Sequence, residues 1–173
     1  METKKRVFVS IMKDKIIHTS IESLRQEGLK FSVDTLAGKL NISKKTIYKF
    51  FPDKETLARA IYEKYYTDAK QKAQMLIQSN VPSLHSDLLS LYFDSKIMTR
   101  RDIFNKYKLN KKLYSYTTEQ NNALWEEIAV SFKQDSAKKD MDTLRIIVDG
   151  AFEKLCEAQQ SPNTVIERLV ELL

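Results

Sequence analysis

Apolar residues recur at helical spacing through nearly all of this chain, and very little interrupts them. From Val9 to Gln26 they fall at Ile11, Met12, Ile16, Ile17, Ile21 and Leu24, the rhythm of one helix face. Three Gly and three Pro in 173 residues leave little material for β-turns, so the chain is expected to be all-α. Hydrophobic residues make up 42% and charged residues 30%, enough to build a core and too apolar for a disordered chain.

Punctuation divides the pattern into about nine helices. Gly28 is placed to stop the first. Ser32 or Asp34 can cap a short second helix carrying Val33, Leu36, Ala37 and Leu40. Asn41, one of the few residues that take a left-handed backbone at low cost, follows it. Ser43 then reads as the N-cap of a third helix, Lys44 to Phe50, with Ile47 and Phe51 turned inward. Pro52 disfavours helix at the residue before it, and Asp53 can cap a long fourth helix reaching about Ser79. Its stripe runs through Leu57, Ile61, Tyr65, Ala69, Lys72 and Leu76. Further amphipathic stretches are expected over Ser83 to Lys96, Arg101 to Tyr107, Lys111 to Lys133, Asp140 to Gln160 and Asn163 to Leu173.

The net charge is +6, and it is unevenly placed. Up to Lys54 there are 12 Lys+Arg against 6 Asp+Glu; from Glu55 onward there are 17 of each. A basic end on a neutral body suits an anionic partner, nucleic acid or an acidic membrane face; the alternative is a lysine-rich solubilising surface. Lys4, Lys5 and Arg6 stand ahead of the first expected helix, either as a phosphate-binding arm or without a role.

Two short helices joined by a tight turn, with basic and hydroxyl residues opening the second, describe a helix-turn-helix. The first turn of the second helix leads into the major groove, so Lys44, Lys45 and Thr46 are placed to reach base edges. The unpaired N–H groups and dipole of that helix start also favour a phosphate. The stretch "DTLAGKLNISKKTIYKFFPDKETL" resembles the tetracycline-repressor (TetR) family of bacterial transcriptional regulators. The matching residues are Leu36-Ala37, Asn41-Ile42-Ser43, Tyr48 and Phe51, then Pro52, Lys54, Glu55 and Leu57, within a likeness spanning about Lys15 to Tyr62.

The resemblance implies a DNA-binding domain over 1–54 and a helical regulatory and dimerisation domain over 55–173. It implies that Tyr48 and Lys54 meet backbone phosphate, with Ser32 and Thr35 as further phosphate contacts; Lys49 completes the expected DNA-binding surface. Asn41 replaces the usual turn glycine, and Lys45 stands where glycine is frequent, which bears on base preference. Gly38 inside the second helix costs about 1 kcal/mol against alanine and suggests close approach to a neighbour. A single such module touches little DNA, so a symmetric dimer on an inverted-repeat, double-stranded operator is expected.

For the homodimer contact the last two helices offer Leu144, Ile147, Val148, Ala151, Phe152 and Leu155, then Val165, Ile166 and Leu169. Gly150 and Ala151 would let a partner helix come close; the alternative is that these faces only complete the monomer's own core. By the same resemblance, Lys64 to Phe132 would sense a small-molecule effector that releases the operator. Tyr92, Phe93, Phe104, Tyr107 and Trp125 are the pocket candidates, with plain core as the competing reading.

Chemistry of other kinds finds no footing. His18, His85 and Cys156 make no zinc spacing, and phosphate loops, nucleophile elbows and paired-carboxylate signatures are missing. No enzyme, metal or cofactor is therefore expected. The sequence shows no signal-peptide stretch and no apolar run of about 18 residues, and a single cysteine fits a reducing compartment. A cytoplasmic location without membrane contact is expected. A helical protein-interaction module without sequence-specific DNA binding is the alternative reading.

Overall fold

The computed structural model describes residues 2–27, 31–79, 81–133, 141–158 and 162–172. The expected helix stop at Gly28, the helix ends at Asp140 and Gln160, and Leu173 lie outside the described residues. Nine α-helices account for nearly all that is described: α1 Glu2–Glu27, α2 Val33–Leu40, α3 Lys44–Phe50, α4 Lys54–Ser79, α5 Leu84–Met98, α6 Arg101–Tyr107, α7 Lys111–Lys133, α8 Met141–Ala158 and α9 Asn163–Leu172. No strand occurs among the described residues. The fold is all-α.

One expectation at the N-terminus changes. Helix α1 begins at Glu2, so Arg6 belongs to its first turns and is not part of an arm ahead of it. The side chains of Lys4 and Lys5 lie outside the described residues. Continuing the helix satisfies backbone N–H and C=O groups that an extended arm would leave to water.

The chain forms two compact units, Met1–Thr67 with Met98–Thr118, and Asp68–Ile97 with Glu119–Leu173. The first holds α1 to α3, the first half of α4, α6 and the start of α7. Its core is built from Ile16, Leu24, Leu36, Ile47, Leu57 and Ile61, all buried. Burying one such side chain contributes about 1.5–3 kcal/mol. Tyr62 stacks on Phe104 with ring centroids 5.6 Å apart and donates its hydroxyl to the Met98 carbonyl at 2.9 Å. Burial pushes that phenol's pKa up, so it stays a neutral donor.

The second unit packs Leu88, Leu89, Leu124, Ile128, Val148 and Ile166. Tyr92 lies against Trp125 at 4.9 Å and Phe93 against Phe152 at 5.5 Å. Asp149 on α8 accepts from the Tyr92 hydroxyl at 3.0 Å and the Lys96 ammonium at 2.8 Å, and pairs with the Arg145 guanidinium at 3.6 Å. Two cations leave this half-buried carboxylate well compensated, as its partial removal from water requires. No helix of the described residues is long and apolar enough to cross a membrane.

Candidate nucleic-acid interface

Local chemistry sets both ends of α2 and the turn that leads into α3. Ser32 caps α2: its hydroxyl accepts from the Thr35 N–H at 3.0 Å, while the Thr35 hydroxyl oxygen accepts from the Ser32 N–H at 3.0 Å. Asn41 ends α2 in the left-handed region, φ 53° and ψ 44°. Its N–H bonds to Gly38 O at 3.1 Å and the Ile42 N–H to Ala37 O at 3.0 Å, the paired closure that ends many helices. Ser43 then caps α3 by accepting from the Thr46 N–H at 3.0 Å.

Below this turn sits Ile47, fully buried, which pins α3 and leaves Lys44, Lys45 and Lys49 exposed. Phe51 ends α3 with an extended backbone, φ −132° and ψ 96°, as a residue before proline should. Asp53 begins α4 by accepting from the Thr56 N–H at 2.7 Å, and this bond holds its carboxyl below the usual aspartate range. Ties between α1 and α2 hold the pair together: Lys39 donates to Ser23 Oγ at 3.0 Å and pairs with Glu27.

The expected DNA-contacting residues fall into three groups by their partners. Lys45 and Lys49 are exposed, and their ammonium groups hold no hydrogen bond or ion pair among the described residues. Lys44 pairs with Asp34 at 3.0 Å, and that hydrogen bond and charge raise its pKa. Lys54 donates to the Tyr107 carbonyl at 2.9 Å. The hydroxyls are engaged locally: Ser32 with Thr35 at 2.9 Å and Thr46 with Ser43 at 2.8 Å. Tyr48 is half-buried on α3. An ammonium has three donors, so Lys44 and Lys54 keep capacity for phosphate beyond the bonds they make here.

Residues 16–61 match the family model for bacterial regulatory proteins of the tetR family. The N-terminal segment is a TetR-family helix-turn-helix domain. The chain is also similar to an uncharacterized HTH-type transcriptional regulator, YvaF, of Bacillus subtilis (strain 168), with 30% identity over 60 residues. That likeness covers 35% of this chain and 32% of the relative, so the chain spans about a third of the curated relative it matches. No solved structure matches. The TetR-type match ends at residue 61, inside α4 and inside the first compact unit.

The other expected site residues are spread over the fold. Of the pocket candidates, Phe104 and Tyr107 belong to the first unit, and Tyr92, Phe93 and Trp125 to the second. Phe104 packs between Tyr62 and Tyr114, with the Tyr114 ring 5.2 Å away. Tyr107 lines a pocket of about 430 Å³ within the first unit.

Of the dimerisation candidates, Val148, Phe152, Leu155, Ile166 and Leu169 are buried in their own unit. Leu144, Ala151 and Val165 are half-buried. Ile147 is 46% exposed and Ile146, not anticipated from the sequence, 71% exposed. Gly38 is exposed and a Cβ there would meet nothing within 4 Å, so it serves no close approach; Gly150 is equally open. His18 is exposed and His85 packs on Phe132 at 5.0 Å. No group of three or more His, Cys, Asp or Glu suited to a metal occurs among the described residues.

Proposed function

We propose that this chain is a transcriptional regulator, a repressor, that binds double-stranded DNA as a homodimer on an inverted repeat. The observation that carries the reading is the capped start of α3, which presents Lys44 and Lys45 beside the turn, within the segment that matches the TetR family. With α3 in the major groove, Lys45 reaches toward base edges while Lys49 and Lys54 meet phosphate. Tyr48 adds a hydroxyl to the same backbone, and Ser32 and Thr35 offer the start of α2.

A repressor needs a dimer and a release signal. The dimer uses the exposed face of α8 around Ile146, Ile147 and Gly150, with Leu144, Ala151 and Val165 at its margin. A small-molecule effector lowers DNA affinity by binding one conformation or charge state better than another. No chemistry of catalysis is part of this reading, and the protein acts where DNA is, in the cytoplasm.

Selection of sequences from a random DNA pool at two salt concentrations tests the proposal. An enriched inverted repeat whose retention falls steeply with salt is the expected result. Binding that is absent, or equal on all sequences, would overturn it in favour of a helical module that engages a protein.

A further inference from the structure

A pocket of about 430 Å³ opens within the first unit, where α1, α2, α3, α4 and α6 converge. That is within the roughly 300–1,000 Å³ typical of small-molecule sites. Its floor is apolar: Leu24, Leu57, Ile61, Tyr62 and Ile103 line it and all are buried. Phe31 and Tyr107 form one wall, their rings edge to face at 6.1 Å. The Tyr107 hydroxyl donates to the Phe31 carbonyl at 2.7 Å, so this wall is held in place. Ala58 is the smallest side chain on the lining and is half-buried.

The mouth has a different character. Lys44, Lys54 and Lys106 line it from exposed positions, with Asp34 the one carboxylate among the lining residues. Asp34 is already paired with Lys44, and Lys106 lies 5.5 Å from the centroid of the Tyr107 ring. Three ammoniums against one engaged carboxylate leave a cationic rim over a buried apolar floor. We propose that this pocket binds a small organic carboxylate with an apolar body, the body on the floor and the carboxylate between Lys54 and Lys106. A neutral body would leave the rim unmatched, and a cation would be repelled by it.

The site deepens the DNA-binding reading and in one respect rests on it. Ser32, Lys44, Tyr48 and Lys54 belong both to the pocket lining and to the candidate DNA surface. A carboxylate held there takes up ammonium donors that phosphate would use, so occupancy competes with DNA without needing any change in the second unit.

Decanoate below its micelle concentration is the probe, with decanol as the uncharged counterpart, titrated calorimetrically into the full chain. Two variants keep clear of the candidate DNA contacts: Ala58→Phe, which fills the pocket, and Lys106→Gln, which removes one rim charge. Saturable decanoate binding is expected, about tenfold tighter than decanol and weakened about tenfold by either variant. Decanoate should also release DNA from the unaltered protein and not from Ala58→Phe. Equal binding of decanol, no binding, or binding that Lys106→Gln leaves intact would overturn the proposal, and that variant decides the matter if Ala58→Phe does not fold. Site-dependent decanoate binding by a protein that retains no DNA would leave the pocket standing and remove the DNA reading; the reverse pattern removes the pocket alone.

Discussion

The Lys54 ammonium donates to the Tyr107 carbonyl at 2.9 Å, joining the first turn of α4 to the last residue of α6. Carbonyls at a helix C-terminus carry the negative end of the helix dipole, so a cation there is favourable. The same ammonium, with two donors left, is the one proposed to meet phosphate. Lys54→Ala should therefore act twice. It should weaken binding to every DNA sequence and flatten the salt dependence by about one unit. It should also cost about 1 kcal/mol of stability through the lost bond. Lys49→Ala, with no such bond to lose, should weaken DNA binding with an unchanged urea midpoint. A salt slope for Lys54→Ala equal to that of the parent protein would remove Lys54 from the phosphate contacts.

Lys45 and Lys44 stand side by side at the start of α3 but differ in their partners. Lys44 is held by Asp34, whose hydrogen bond and charge raise its pKa above the ordinary value of 10.5. A raised lysine pKa contributes below the ordinary value and is lost only as pH rises through the raised one. Binding should therefore show no step from Lys44 between about pH 6 and 9. Asp34→Asn should release the ammonium and remove a repelling charge, raising DNA affinity about two- to fivefold. Lys45→Gly should instead change which sequences are selected, and equal losses on selected and random DNA would show that Lys45 reads no base.

Two substitutions flank the α2–α3 turn and should move stability in opposite directions. Ser43→Ala removes the acceptor for the Thr46 N–H and should cost about 1 kcal/mol. Gly38→Ala places a methyl where nothing lies within 4 Å and should gain about 0.5–1 kcal/mol, largely by restricting the unfolded chain. Urea denaturation of both measures the pair. A loss in Gly38→Ala would mean that this face meets something when folded.

The turn was legible because each residue in it is fixed by its own short-range chemistry: a hydroxyl cap, a left-handed asparagine, a residue before proline. Helix faces were legible only in part. Periodicity marks Val148, Phe152 and Leu155 as apolar but does not say which neighbour covers them, and α8's own unit does so, with Phe152 against Phe93. Ile146 escaped notice because it sits outside the stripe drawn through Leu144, Ile147, Val148 and Ala151. The pocket candidates divided between units because aromatics at helical spacing are chosen by core packing throughout the chain. The 430 Å³ pocket takes its lining from residues as distant in sequence as Leu24 and Leu109, a convergence that local pattern cannot encode.

Acid should act on the start of α4 through Asp53. Its carboxyl titrates below the ordinary 3.8 because it accepts from the Thr56 N–H. A lowered carboxyl pKa contributes stability above the unfolded value and loses it as pH falls through the folded one. Asp53→Asn keeps an acceptor without the charge, so its stability should vary less with pH below about 4 than that of the parent protein. Parallel acid titrations followed by circular dichroism make the comparison, and identical curves would exclude a contribution from this cap.

Burial divides the apolar residues of α8 into two sets. Phe152 is 4% exposed and Ile147 46% exposed, so truncating them should be felt in different experiments. Phe152→Ala opens a void against Phe93 and should cost about 3–5 kcal/mol of stability at any protein concentration. Ile147→Ala should leave the stability of the monomer within about 0.5 kcal/mol and shift dimer dissociation, seen by sedimentation, toward higher concentration. Gly150→Arg places a charge on the same open face and should give a folded monomer. In the proposed dimer the two DNA-reading heads are linked only through this contact, so that monomer should lose preference for an inverted repeat while keeping salt-dependent binding to random DNA. A fully dimeric Gly150→Arg would move the interface away from α8.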